Sequence, residues 1–152
     1  MLLSARVTIF LWLRHPEFGG RAKWGATFGE FENEDFSGHG TYVASIAIGA
    51  HYGVATAAIA YAVKIADTAG VATEGDTIAG INWVIDEASI TRRPSIINAS
   101  WGGPVNGVVD EATENAVRAG IHVVAGAGND HQDVSGVTPA HRKSNFQERV
   151  NF

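Results

Sequence analysis

The amino-acid sequence predicts an α/β fold in three layers, a parallel sheet carrying helices on both faces. Three observations lead there. Runs of β-type apolar residues alternate with segments of helical periodicity, the order that a parallel sheet with crossover helices requires. The strand candidates are apolar almost throughout rather than at every second residue, as expected where both faces are covered. The length of 152 residues, with 45% hydrophobic and 18% charged, suits one domain with a sizeable core and argues against a disordered chain.

Taken in order, residues 7–13 read as a strand, rich in β-branched and aromatic side chains. The opening is also apolar enough to suggest a secretory leader. However, Arg6 lies inside it, and Arg14-His15-Pro16 stands where small cleavage-site residues belong, so residues 1–14 read as a strand or an atypical N-terminal leader. Residues 14–37 are loop-like, with Pro16, the Gly19-Gly20 pair and the acidic Glu30-Phe31-Glu32-Asn33-Glu34-Asp35 stretch. Residues 38–48 form a small apolar helix closed by Gly49, and 57–66 read as a buried strand. Residues 77–88 place Ile78, Ile81, Val84 and Ile85 at helical spacing, and Ser95–Ala99 is a short strand behind Pro94. An amphipathic helix at 108–119 stops at Gly120, and 121–126 form a further strand. From His141 to Phe152 the chain is polar and loses all periodicity. No repeat or linker divides it.

Composition removes several classes of function. A net charge of −5, a pI of about 5.6 and the lack of a long basic run argue against a nucleic-acid partner. No apolar run reaches the ~18–20 residues of a membrane span, so no membrane partner is expected. With no cysteine, disulfides and thiolate zinc sites are excluded. The 18 glycines exceed ordinary usage and point to tight turns and close backbone approaches.

Three segments carry candidate chemistry. Ser37-Gly38-His39-Gly40-Thr41 sets a histidine, suited to proton transfer near neutral pH, at a helix start between glycines. A histidine that merely caps a helix would look the same. Ser100-Trp101-Gly102-Gly103-Pro104 follows a strand end, where open α/β sheets place their binding crevice, and its bare backbone can pair with an extended peptide. An ordinary turn is the alternative. Ala125-Gly126-Ala127-Gly128-Asn129-Asp130 ends the next strand, and its asparagine can offer an amide to a developing oxyanion. A dinucleotide-binding reading needs GxGxxG, and His131 occupies the place of the last glycine. Asp130, His131 and Asp133 suggest a metal site less well than a solvated loop. The Asn98-Ala99-Ser100 sequon lies where a strand should bury it.

Together and in this order, the GHGT-x-V-A, NASWGG and AGAGN-x-D segments resemble the subtilisin-like serine proteases (peptidase S8), nearest the proteinase K branch. The likeness runs from His15-Pro16-Glu17-Phe18-Gly19-Gly20-Arg21-Ala22 to Thr138-Pro139-Ala140, so that residues 15–140 would be a partial peptidase domain and 141–152 a tail foreign to the family. The resemblance implies a subtilisin-like fold and a serine endopeptidase that hydrolyses peptide bonds in protein or peptide substrates. His39 would be the catalytic base and Asn129 the oxyanion-hole donor. Ser100, Trp101 and Gly102 would line the primary specificity pocket, with Ala127 and Gly128 as its other wall. Val71 and Ala72 fall where the family pairs with substrate further upstream. The resemblance further implies an extracellular protein without an organic cofactor. It allows calcium, for which the sequence identifies no site.

Two family features are missing. Where the family carries the aspartate that orients the histidine, this chain reads Ile9-Phe10-Leu11-Trp12-Leu13-Arg14. Asp35 matches a loop residue of the family instead. The family nucleophile, in a Gly-Thr-Ser-Met-Ala-type segment, has no counterpart before Phe152. The expectation is therefore a truncated, central fragment of such a catalytic domain, inactive as it stands. The alternative is a non-catalytic module that keeps the peptide-binding edge.

Overall fold

The computed structural model describes residues 4–7, 11–30, 32–131, 133–142 and 149–150. Its centre is a sheet built from β1 (Ser4–Val7), β2 (Ala22–Thr27), β3 (Ala60–Lys64), β4 (Ser95–Ala99), β6 (His122–Gly126) and β8 (Arg149–Val150). The spatial order is β2-β3-β1-β4-β6-β8, and every neighbouring pair is parallel. A separate antiparallel pair joins β5 (Gly103–Pro104) to β7 (Val137–Thr138).

Alternation along β3 shows how the two sides are filled. Ala60 and Ala62 face one apolar cluster, while Val63 and the following Ile65 face the other. The first cluster contains Leu11, Phe18, Ala44 and Ile48 and belongs to helix α1 (His39–Ile48). The second contains Ile81, Val84, Ala112 and Ala116 from helices α2 (Glu74–Thr91) and α3 (Gly107–Arg118), together with Ile97, Ala99, Val123 and Ala125 of β4 and β6. Helices thus cover both faces of a parallel sheet, the three-layer α/β arrangement that the sequence predicted. Gly80 of α2 lets that helix sit close on β3, since a Cβ there would come 2.5 Å from Ile65 Cγ2.

Helix α1 is fixed at its C-terminal end by buried polar groups. The Arg21 guanidinium donates to the carbonyl oxygens of Ile48, Ala58 and Glu17. Glu17 accepts the backbone N–H of His51, which holds its carboxyl below the ordinary range.

Three stretches depart most from the sequence reading. The strand expected at 7–13 is seen as Ser4–Val7; residues 8–10 lie outside the described set, and Leu11 and Trp12 lie outside any strand, before a turn at Leu13 and Arg14. Strand β2 lies inside the stretch 14–37 that reads as loop. Strand β8 falls in the tail 141–152 and pairs with β6. Among the described residues no helix is long and apolar enough to cross a membrane.

Candidate active site

Strands β4 and β6 are neighbours in parallel register, with Asn98 beside Val124 and Ala99 beside Ala125. The chain segments leaving their C-terminal ends therefore emerge side by side, as at the crevice of an open α/β sheet. One segment is Ser100-Trp101-Gly102; the other is Ala127-Gly128-Asn129. Helix α1 delivers His39 at its first position, and Tyr42 and Val43 follow one turn later on the same face. All of these line one open cleft of about 920 Å³, completed by Gly103, Pro104, Gly126, Asp130, Gly136 and Val137. Val71 and Ala72 do not line it; they belong to a turn after β3 that the Asp67 carboxylate ties to the N–H groups of Ala69 and Val71.

His39 is exposed, and no described residue is hydrogen-bonded to its ring. Its position is set by Asp35. One carboxylate oxygen of Asp35 accepts the Gly38 N–H at 2.8 Å, and the other accepts the N–H and hydroxyl of Thr41 at 3.0 and 2.5 Å. Thr41 Oγ1 in turn accepts the Trp12 N–H at 2.8 Å. Gly38, at φ 73°, turns the chain into the helix in a conformation that favours glycine. The Asp35 carboxylate therefore meets the orphan donors at the N-terminus of α1.

The acidic loop before His39 is tethered from below. Lys64, only 1% exposed at the end of β3, donates from Nζ to the carbonyl oxygens of Glu32 and Glu34. The Phe36 ring centroid lies 5.7 Å from the ammonium. Burial pushes the Lys64 pKa down, and the charges of Glu32, Asp35 and Glu34 oppose that shift.

On the opposite side of the cleft, Asn129 and Gly128 are exposed and Ala127 is buried. Gly128 has φ 88°, which favours glycine at this turn. Asn98 Nδ2 donates to Ser100 Oγ at 2.7 Å, so the sequon asparagine is spent inside the strand end. A Cβ at Gly102 would come 2.9 Å from Val137 Cγ1. Asp133 caps a short 3₁₀ turn by accepting the Ser135 N–H. Among the described residues no three His, Asp or Glu side chains converge to hold a metal ion.

The sequence reading set Asp35 aside as a loop residue and did not single out Lys64, Tyr42, Val43 or Val137. Tyr42 and Val43 were accessible through helical spacing from His39, and Asp35 through its place three residues before Gly38. Lys64 and Val137 reach the site only through the fold.

The chain matches the Subtilase family over residues 20–149. The chain belongs to that family. It is 42% identical over 131 residues to a subtilisin-like protease of Coccidioides posadasii, covering 84% of this chain and 32% of that protein. It is 38% identical over 130 residues to the subtilisin-like serine protease Pen ch 13.0101 of Penicillium rubens, covering 84% of this chain and 33% of that one. Among solved structures, a cold adapted subtilisin-like serine proteinase superposes with a TM-score of 0.84 at 32% identity, covering 91% of this chain and 50% of that chain. The chain thus spans about a third of the length of the curated relatives it matches. Its three-layer sheet is the subtilase fold over the part that it represents.

Proposed function

We propose that these residues form the base, the oxyanion donor and the substrate-binding strand of a serine endopeptidase that acts on peptide or protein substrates. The observation that carries this reading is the convergence of His39, Ser100, Trp101, Gly102, Ala127, Gly128 and Asn129 on one cleft, from three loops far apart in sequence. In the reaction a serine hydroxyl attacks the peptide carbonyl, and His39 takes its proton and returns it to the leaving amine. Asn129 donates its side-chain amide to the oxyanion. Backbone groups of Ser100–Gly102 pair with the substrate as an added strand. We place the protein outside the cell on the strength of the family resemblance alone.

The reading includes a restriction. Residues 9–14 carry no carboxylate, and no Gly-Thr-Ser segment supplies a nucleophile among the 152 residues. Ser100 does not replace it, because its hydroxyl is engaged by Asn98 and its role is to present backbone. The chain by itself therefore binds an extended peptide without turning it over. The test combines a chromogenic peptide, a fluorophosphonate probe and peptide binding read from tryptophan fluorescence, each with His39→Ala alongside. Saturable binding without labelling or turnover is expected. Labelling that disappears in His39→Ala would overturn the restriction, and absence of binding would overturn the peptide site.

A further inference from the structure

We propose that His141 is a positioning residue for this cleft: with both ring nitrogens protonated, it staples the strap that forms one cleft wall to helix α3. Its functional consequence rests on the peptide-binding reading above; the staple itself does not.

The anchor is Asp110 in the first turn of α3, 2% exposed. A carboxylate buried this deeply persists only with partners that satisfy it. Its Oδ1 accepts the Thr138 hydroxyl at 2.9 Å, and Thr138 Oγ1 accepts the Asn106 backbone N–H at 2.9 Å. Its Oδ2 lies 3.2 Å from His141 Nε2. The other ring nitrogen, Nδ1, lies 3.1 Å from the Val137 carbonyl oxygen, which also accepts the His141 backbone N–H at 2.8 Å.

Carbonyl and carboxylate oxygens only accept hydrogen bonds, so each ring nitrogen needs its own hydrogen. A neutral imidazole carries one and must turn a lone pair toward an acceptor at the other contact. The imidazolium satisfies both. Of the charged groups that face the ring, the carboxylates favour the imidazolium and the Arg142 guanidinium opposes it. Asp110 approaches from α3, Arg142 Nε stands 3.8 Å from the same Asp110 oxygen, and Glu114 pairs with Arg142 Nη2 at 3.0 Å. The ring side chain is 15% exposed, so solvent reaches it for proton exchange.

The two bonds have different targets. One holds the carbonyl of Val137, whose side chain lines the cleft and stands against Gly102. The other fixes the strap to α3, whose N-terminus is tied to Thr138 through Asn106. Losing the ring's second proton leaves one hydrogen for two acceptors, so each end of the wall keeps its bond only part of the time as the tautomers exchange. Peptide binding should then weaken as pH rises through the titration of this one side chain.

The experiment is hydrogen exchange of the full chain followed by mass spectrometry, from about pH 5.5 to about pH 8.5 and corrected for intrinsic rates. Segments 103–110 and 134–142 report the staple, segment 60–64 serves as reference, and exchange at the His141 ring carbon between the nitrogens reports its protonation. Protection of both segments should fall about tenfold along the ring's own titration curve while the reference stays constant. In His141→Gln it should be low and flat with pH. Constant protection in the natural sequence would overturn the staple even if the variant failed to fold, and so would the same pH dependence in the variant. Affinity for an extended peptide should follow the same curve. Protection that follows the ring with no peptide bound at any pH leaves the staple standing and removes the peptide reading. Peptide affinity that ignores the ring's titration overturns the positioning role.

Discussion

Asp35 shows how much a single side chain contributes to the placement of His39. Its two oxygens accept from Gly38 N–H, Thr41 N–H and the Thr41 hydroxyl, so one residue satisfies donors that the first turn of α1 leaves open. Asp35→Ala should cost about 1–2 kcal/mol, the range for losing a helix cap, and urea unfolding measures it. A loss below about 0.5 kcal/mol would mean that water replaces the carboxylate, as at an unremarkable surface site. Lys64 acts on the same loop with the opposite energetic sign. Burial lowers its pKa, so the folded chain releases that proton at lower pH than the unfolded chain does. Between the folded value and the unfolded lysine value near about 10.4, the unfolded state binds more protons and stability rises with pH. Below the folded value both states hold the proton, and the contribution of Lys64 is constant and least favourable. The natural sequence should therefore gain stability relative to Lys64→Met between neutral pH and about pH 10, read as the difference of their urea midpoints. A flat or falling difference would contradict the assigned burial cost.

At the level of elements, periodicity located what is buried on both faces and lost what is not. The strands at 57–66, 95–99 and 121–126 and the helices at 38–48, 77–88 and 108–119 were legible because their apolar patterns are dense. Strand β2 was not, since Lys23, Gly25 and Ala26 are poor strand formers and its register against β3 shifts between Trp24 and Ala26. Gly25 is there because a Cβ would meet the Trp83 ring at 2.6 Å, a contact visible only after folding. The start of α2 was placed three residues late. Thr73 accepts the Asp76 N–H, a polar cap that precedes the apolar run on which the periodicity depends. Gly80 in the middle of α2 runs against helix propensity, yet it permits the close approach to Ile65. Gly80→Ala should thus destabilise the fold by about 1–3 kcal/mol in thermal or urea melts, although alanine favours helix at an exposed position. A stabilised variant would show that α2 shifts outward freely.

For the whole molecule, the order of three short motifs disclosed the family and the cleft, because a parallel sheet brings successive strand ends to one edge. The sequence could not disclose the wall formed by Gly136 and Val137, which depends on β7 pairing with β5, nor the pairing of His141 with Asp110 across 31 positions. The same global view exposes an imbalance. Helix α1 carries apolar residues on nearly every side, a composition suited to burial all round. It nevertheless leaves Tyr42 and Ile46 exposed at 63% and 44%. Val54, whose N–H bonds to the Ile46 carbonyl, is 91% exposed, and its near neighbour Tyr52 is 78% exposed. Contiguous apolar surface beyond a few hundred Å² is uncommon on monomers and drives association. We expect the 152-residue chain to associate in a concentration-dependent way in sedimentation velocity and to be sparingly soluble. Replacing Ile46 and Val54 together by lysine, away from the cleft lining, should shift it toward monomer without loss of secondary structure. If the unsubstituted chain sediments as a monomer at every concentration and melts cooperatively, the exposed side of α1 is tolerated in water, and the association argument fails.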